Sequence, residues 1–131
     1  MKKGILLNSQ ISAVVADMGH WDTLGIGDLG MPVPKGTQKI DLSVKMGTPD
    51  LITVLKTTLS ELKIQRIFLA SEMKTENSKQ LTAIMEAVGN VQIVFIPQME
   101  LQDKIASTKA FVRTGEASHY SNVILESGVT F

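Results

Sequence analysis

Residues 66–96 read RIFLASEMKTENSKQLTAIMEAVGNVQIVFI, and this stretch decides the fold. Arg66 to Ala70 is a compact apolar run of the kind that fills a central strand, and it stops at the polar cluster Ser71, Glu72 and Lys74. From about Ser78 to Val88 the apolar residues Leu81, Ile84, Met85 and Val88 recur at helical spacing, with Gly89 placed as a stop. Val91 to Ile96 then reads as the next strand. Strand, helix and strand in succession predict an α/β domain whose helices pack on a largely parallel sheet.

The flanks continue the alternation. Upstream, Ile11, Val14, Val15 and Met18 mark a helix over about Ser9–Met18, closed by Gly19, and Leu24–Gly27 is a short strand. Leu29 to Gly36 carries two prolines and two glycines and is a loop. Ile40, Leu42 and Val44 alternate with polar residues as in a half-buried strand, ended by Gly47. Thr48 as N-cap and Pro49 as first helical residue open a helix with Leu51, Val54, Leu55, Leu59 and Leu62 on one stripe. Downstream, a short helix is expected over Met99–Ala106. Strands are expected at Ala110–Arg113 and Val123–Leu125, and an antiparallel arrangement is open to both of these last strands. No repeat or linker interrupts the 131 residues, so residues 1–131 are expected to form one domain.

Composition removes several classes of function. Thirteen basic residues balance thirteen acidic ones, which leaves no footprint for a phosphate backbone, and nucleic acid is not an expected partner. No stretch approaches the roughly 20 apolar residues of a membrane span. The run Ile5–Leu7 after Met1-Lys2-Lys3 is too short for a signal-peptide core, so a cytoplasmic chain is expected. There is no cysteine, and the two histidines, His20 and His119, are not spaced to share a metal on one helix face. No metal and no cofactor is expected. The glycine pairs around Gly25 and Gly27 lack the nucleotide-binding fingerprint, and no serine sits in a nucleophile elbow.

What remains is acid–base and hydrogen-bonding chemistry. Gly19-His20-Trp21-Asp22 sets an imidazole beside a carboxylate at a helix-to-strand junction. Asp22 could orient the ring for proton transfer, and a helix-capping histidine accounts for the same tetrapeptide. Asp28 could accept two hydrogen bonds from vicinal hydroxyls or close a turn on its own backbone. Tyr120-Ser121-Asn122 offers two hydroxyls and an amide, suited to a neutral polyol or to an ordinary polar loop. Glu72 and Lys74 form a solvated ion pair unless they face one cavity. Asp28, the Glu72 cluster and the segment after Pro97 all fall at carboxyl ends of strands, where ligands collect in such sheets.

These residues, with others along the chain, resemble the D-ribose pyranase family. The resemblance rests on Lys2-Lys3-Gly4, Leu7-Asn8-Ser9, Gly19-His20 with Asp22, and Asp28 through Pro34. It continues in Ile40-Asp41-Leu42, Glu72-Met73-Lys74, Arg113-Thr114-Gly115-Glu116, Tyr120-Ser121-Asn122 and the ending Gly128-Val129-Thr130-Phe131. It implies interconversion of the pyranose and furanose forms of D-ribose, with His20 as proton donor. It maps sugar binding onto Asp28, position 98, Tyr120, Ser121 and Asn122, and implies a homo-oligomer, commonly a decamer of two pentameric rings. Position 98, often histidine in the family, is Gln98, which can hydrogen-bond a hydroxyl but cannot exchange a proton near neutrality. Ring opening needs one proton delivered to the ring oxygen and one removed from the anomeric hydroxyl, and neither step calls for a metal or redox cofactor. An L-fucose-type mutarotase and a noncatalytic sugar-binding accessory of ribose transport are the competing readings.

Overall fold

The computed structural model describes all residues, Met1–Phe131. Six strands form one sheet: β1 (Thr23–Gly27), β2 (Lys39–Asp41), β3 (Ile64–Ala70), β4 (Gln92–Ile96), β5 (Phe111–Arg113) and β6 (Val123–Ser127), in the order β2-β5-β1-β6-β3-β4. β6 runs antiparallel to both neighbours, and every other pairing is parallel. The expected α/β sheet is therefore present, and the last strand takes the antiparallel course.

The helices are α1 (Ser9–Asp17), α2 (Leu51–Leu59), α3 (Met73–Glu76), α4 (Ser78–Val88) and α5 (Gln98–Lys104), the last continued by a 3-10 turn over Ile105–Ser107. Local chemistry sets their starts. Asn8 Oδ1 accepts the N–H of Ile11 at 2.9 Å, and Asp50 Oδ1 accepts that of Thr53 at 3.0 Å, each satisfying an orphan donor of a first turn. Asp50 thus corrects the expected cap at Thr48. Thr48 is engaged upstream, where its N–H donates to Lys45 O and its carbonyl accepts from Val44 N, and Pro49 follows through a cis peptide ahead of the helix. The strand expected over Ile40–Val44 is also shorter. Ser43 turns back and donates both its N–H and its hydroxyl to Asp41 Oδ1, ending β2 at Asp41.

The central strands supply the core. Leu24, Ile26, Ile67, Leu69, Val112 and Leu125 are fully buried, and Leu51, Leu55, Ile84 and Leu101 from the helices close over the sheet. Burying a Leu or Ile side chain of this kind is worth about 1.5–3 kcal/mol. α2 packs against α4 and β1, and α5 lies against β3. Because five strands run the same way, their carboxyl ends share one rim of the sheet, where β6 begins rather than ends. No helix is long and apolar enough to cross a membrane.

Candidate functional site

The shared rim opens into a cavity of about 530 Å³ whose walls include Asp28, Met31, Gln98, Gln102, Glu116, Ser118, His119 and Tyr120. No lysine or arginine lines it. Three of the positions singled out in the sequence meet here: Asp28 after β1, Gln98 after β4, and Tyr120 before β6.

Asp28 is fixed by Asn122. The Asn122 amide accepts the Asp28 N–H at 3.1 Å and donates to Asp28 Oδ2 at 2.8 Å, while Asp28 Oδ1 takes the Gly30 N–H at 2.9 Å. The Asn122 side chain crosses Gly27 to do so, and a Cβ there would overlap both Asn122 Oδ1 and the Phe111 ring. Burial pushes the Asp28 carboxyl above its ordinary value, helped by the charge of Glu116 and opposed by bonds from Asn122, Gly30 and Met31.

Tyr120 sits in the left-handed region at φ 58°, a conformation that costs a bulky residue energy unless its surroundings hold it. They do. Asn77 Nδ2 donates to His119 O at 2.7 Å and to Ser121 Oγ at 3.3 Å, and the Ser118 and Ser121 hydroxyls meet at 2.6 Å. Glu116 anchors the base of this turn, accepting from Ser118 N and Oγ, Leu51 N and Gln80 Nε2. Burial raises the Glu116 carboxyl, but these donors outweigh it and hold the group below its ordinary value. Ser121 and Asn122 are buried and lie behind the wall that Tyr120 faces, where their side chains brace the turn and Asp28.

Glu72 and Lys74 take separate places. The Glu72 carboxylate accepts the Gln98 N–H with both oxygens, at 3.1 and 3.0 Å, and so fixes the first residue of α5 beside the cavity. Burial opposes its charge and is outweighed by that N–H together with the Glu72 N–H and the Ser71 hydroxyl, leaving the carboxyl below its usual range. Lys74 Nζ lies 4.1 Å from the Phe95 ring centre, a cation–π contact in place of the expected ion pair with Glu72. Within the cavity wall, the Gln98 amide nitrogen is 3.9 Å from Met31 Sδ, and Gln98 Oε1 is buried without a protein partner.

His20 lies at the other end of the sheet. It precedes β1, whereas Asp28 follows it, and the five residues of β1 put about 17 Å of strand between them at roughly 3.3 Å per residue. His20 lines a separate cavity of about 290 Å³ with Met18, Lys63, Ser127 and the terminal residues Val129 to Phe131. Trp21 stacks on the imidazole at 4.2 Å between centroids, and Nε2 lies 2.8 Å from Gln65 Oε1. Asp22 does not take the ring: its Oδ2 accepts the Gly19 N–H at 2.8 Å and pairs with Lys109 at 3.6 Å. Gln65 stands where Asp22 was expected.

Glu116, Gln65 and Glu126 were not singled out individually in the sequence, and neither was Arg113 as a brace. Arg113 donates to Leu29 O, Asp41 Oδ2 and Ser43 Oγ, tying the Asp28 loop to the end of β2. Arg113 and Glu116 are the first and last residues of a motif of the resemblance, which was the one available signal. Gln65 and Glu126 lie 61 positions apart and meet only through sheet pairing. No group of three or more His, Cys, Asp or Glu side chains is arranged to hold a metal ion.

An α/β sheet with a carboxylate, an amide and a phenol converging beyond its strand ends has the equipment to hold a neutral polyhydroxylated ligand. Comparison with known proteins agrees. A D-ribose pyranase of Lactobacillus gasseri is 59% identical over 131 residues, covering 100% of both chains. The structure of Bacillus subtilis RbsD complexed with D-ribose is 35% identical over 100% of both chains, with a TM-score of 0.96. The fucose mutarotase of Streptococcus pneumoniae, in complex with L-fucose, shares the fold over 100% of both chains, at a TM-score of 0.83 and 18% identity. The RbsD / FucU transport protein family matches residues 1–130, and the chain belongs to it.

Proposed function

We propose that this protein is a sugar mutarotase that interconverts the pyranose and furanose rings of D-ribose by proton transfer. The observation that carries the reading is the cavity itself: Asp28, Gln98 and Tyr120 offer hydroxyl-binding groups on one wall, with no cationic cluster for a phosphate. Asp28 and the Gln98 amide hold sugar hydroxyls, and the Tyr120 phenol closes over them with Ser121 and Asn122 behind it. His20 supplies the proton to the ring oxygen as the ring opens. Closure on a different hydroxyl gives the other ring size.

His20 and Asp28 of one chain are too far apart to act on one sugar, so the complete site takes His20 from a second copy. A contact joining the His20 end of one chain to the Asp28 end of the next is heterologous, and such contacts make rings where the rotation closes. This supports the homo-oligomer that the family resemblance implies, and the decamer of two pentameric rings is the form of it that the resemblance supplies. A cytoplasmic sugar enzyme is the corresponding setting.

Saturation-transfer NMR on D-ribose tests the reading. Accelerated exchange between pyranose and furanose signals is expected with the protein and is lost in His20→Ala. Ribose binding without faster exchange makes the protein a noncatalytic binder. Unchanged exchange in His20→Ala removes His20 from the chemistry, and faster exchange with L-fucose than with ribose reassigns the substrate.

A further inference from the structure

His20 is exposed, yet its ring is held on two sides, by Trp21 on one face and by Gln65 at Nε2. What lies beyond Gln65 decides how the ring is protonated. Gln65 Nε2 donates to Glu126 Oε1 at 2.8 Å. Glu126 is buried at the end of β6 and takes a two-pronged bond from Arg66, Nε to Oε1 at 3.1 Å and Nη2 to Oε2. Arg66 in turn lies over the Phe68 ring.

The chain of bonds has one consistent polarity. An arginine stays charged in a protein, and two-pronged pairing with it keeps Glu126 ionised. An ionised carboxylate only accepts, so Gln65 must turn its NH2 to Glu126 and its carbonyl oxygen to His20. That oxygen also only accepts. The ring nitrogen facing it therefore carries a hydrogen, and in the neutral ring the lone pair is left on Nδ1, which makes no hydrogen bond to the protein. Asp22, the carboxylate adjacent in sequence, cannot do this, because it is committed to Gly19 and Lys109.

We propose that Gln65 and Glu126 are positioning residues that hold His20 as the Nε2–H tautomer and so make Nδ1 the atom that exchanges protons with the sugar. The inference rests on the mutarotase reading above and adds which nitrogen acts and what fixes it. When the ring is protonated, Nδ1–H passes its proton to the sugar ring oxygen as the bond from that oxygen to the anomeric carbon breaks. The anomeric hydroxyl loses its proton to solvent water and becomes the carbonyl. Closure through another hydroxyl reverses these steps and returns a proton to Nδ1. Nε2–H stays on Gln65 throughout, and no electrons enter or leave.

The chain has only two histidines, which makes the tautomer directly measurable. Histidine labelled with 15N in the assembled protein, sedimented for solid-state NMR, gives separate signals for protonated and bare ring nitrogens, and His20→Ala identifies the His20 pair. With the ring neutral, the wild-type protein is expected to show protonated Nε2 and bare Nδ1. Glu126→Gln frees the Gln65 amide to reverse, and Gln65→Leu removes the acceptor while leaving Glu126 on Arg66. Both should populate the second tautomer and lower kcat for ribose ring exchange by at least about tenfold with KM little changed, since neither touches the Asp28 cavity. A wild-type ring protonated at Nδ1, or a tautomer unmoved in both variants, overturns the inference even if ribose exchange is fast. The expected tautomer without any acceleration of ribose exchange overturns the mutarotase reading instead, and the catalytic part of this inference with it.

Discussion

Asn122 and Asp28 hold each other at two points, amide oxygen to N–H and amide nitrogen to carboxylate, across a glycine that leaves just enough room. A carboxylate raised by burial keeps its orientation because this amide is fixed to it. Asn122→Ala removes a bond to a charged group and strands the Asp28 N–H, at a cost of about 2–4 kcal/mol. Thermal unfolding should show the loss, and saturation transfer should show a raised KM for ribose. Wild-type stability and KM in this variant would leave Asp28 independent of Asn122.

The separation of His20 from Asp28 makes a prediction about mixtures. His20→Ala and Asp28→Ala chains should each be inactive when assembled alone. Co-expressed, they form mixed assemblies in which about a quarter of the sites join a wild-type His20 end to a wild-type Asp28 end, and activity returns in proportion. Sites built within single chains would show no recovery.

Gln98 presents a buried oxygen that no protein group satisfies, while its backbone is fastened by Glu72. A sugar hydroxyl donating to it would satisfy that oxygen. Gln98→Met keeps the volume and the Glu72 contact to the backbone but deletes the acceptor. Ribose affinity should fall about tenfold, the equivalent of one hydrogen bond of roughly 1–1.5 kcal/mol, with stability unchanged or slightly improved. Isothermal titration with ribose reads the first and thermal unfolding the second; equal affinity would place Gln98 outside the ribose contact.

Glu72, Glu116 and Glu126 are all held below the ordinary value of 4.5, and Asp28 above its 3.8. A lowered carboxyl contributes stability that is complete above its unfolded value and lost as pH falls through the folded one. Asp28 acts in the opposite sense, favouring the fold as it protonates, while Asp41, held low by Ser43 and Arg113, acts with the three glutamates. The melting temperature should therefore hold from neutrality down to about pH 5 and fall below pH 4.5, with a shallower fall in Glu126→Gln. A profile flat to pH 3 would contradict the role given to these groups.

Periodicity made the helices and most strands legible. Ile84 and Leu81 announced α4, and the run Arg66–Ala70 announced the central strand. Boundaries set by side-chain competition were not legible: Ser43 folding back on Asp41 ends β2, and Asp50 rather than Thr48 caps α2. Asp28 and the segment after Pro97 could be placed together because strand ends share a rim, whereas Tyr120 precedes a strand and entered the site only through the family resemblance. The partner of His20 could not be read from its neighbours. Adjacency favoured Asp22, but a carboxylate two residues away was taken up by a local backbone N–H, while Gln65 reached the ring through a strand pairing that no local pattern encodes.

The direction of β6 has a mechanical consequence. Asn122 just before it and Glu126 near its end belong to the same alternating row of side chains, so one short rod sets both the grip on Asp28 and the grip on Gln65. Deleting a single residue between them would rotate one of the two to the opposite side of the sheet. The spacing between these two residues is thus a ruler for the whole machine, intolerant of any change in count, and its divisions are the buried side chains of Val123, Ile124 and Leu125.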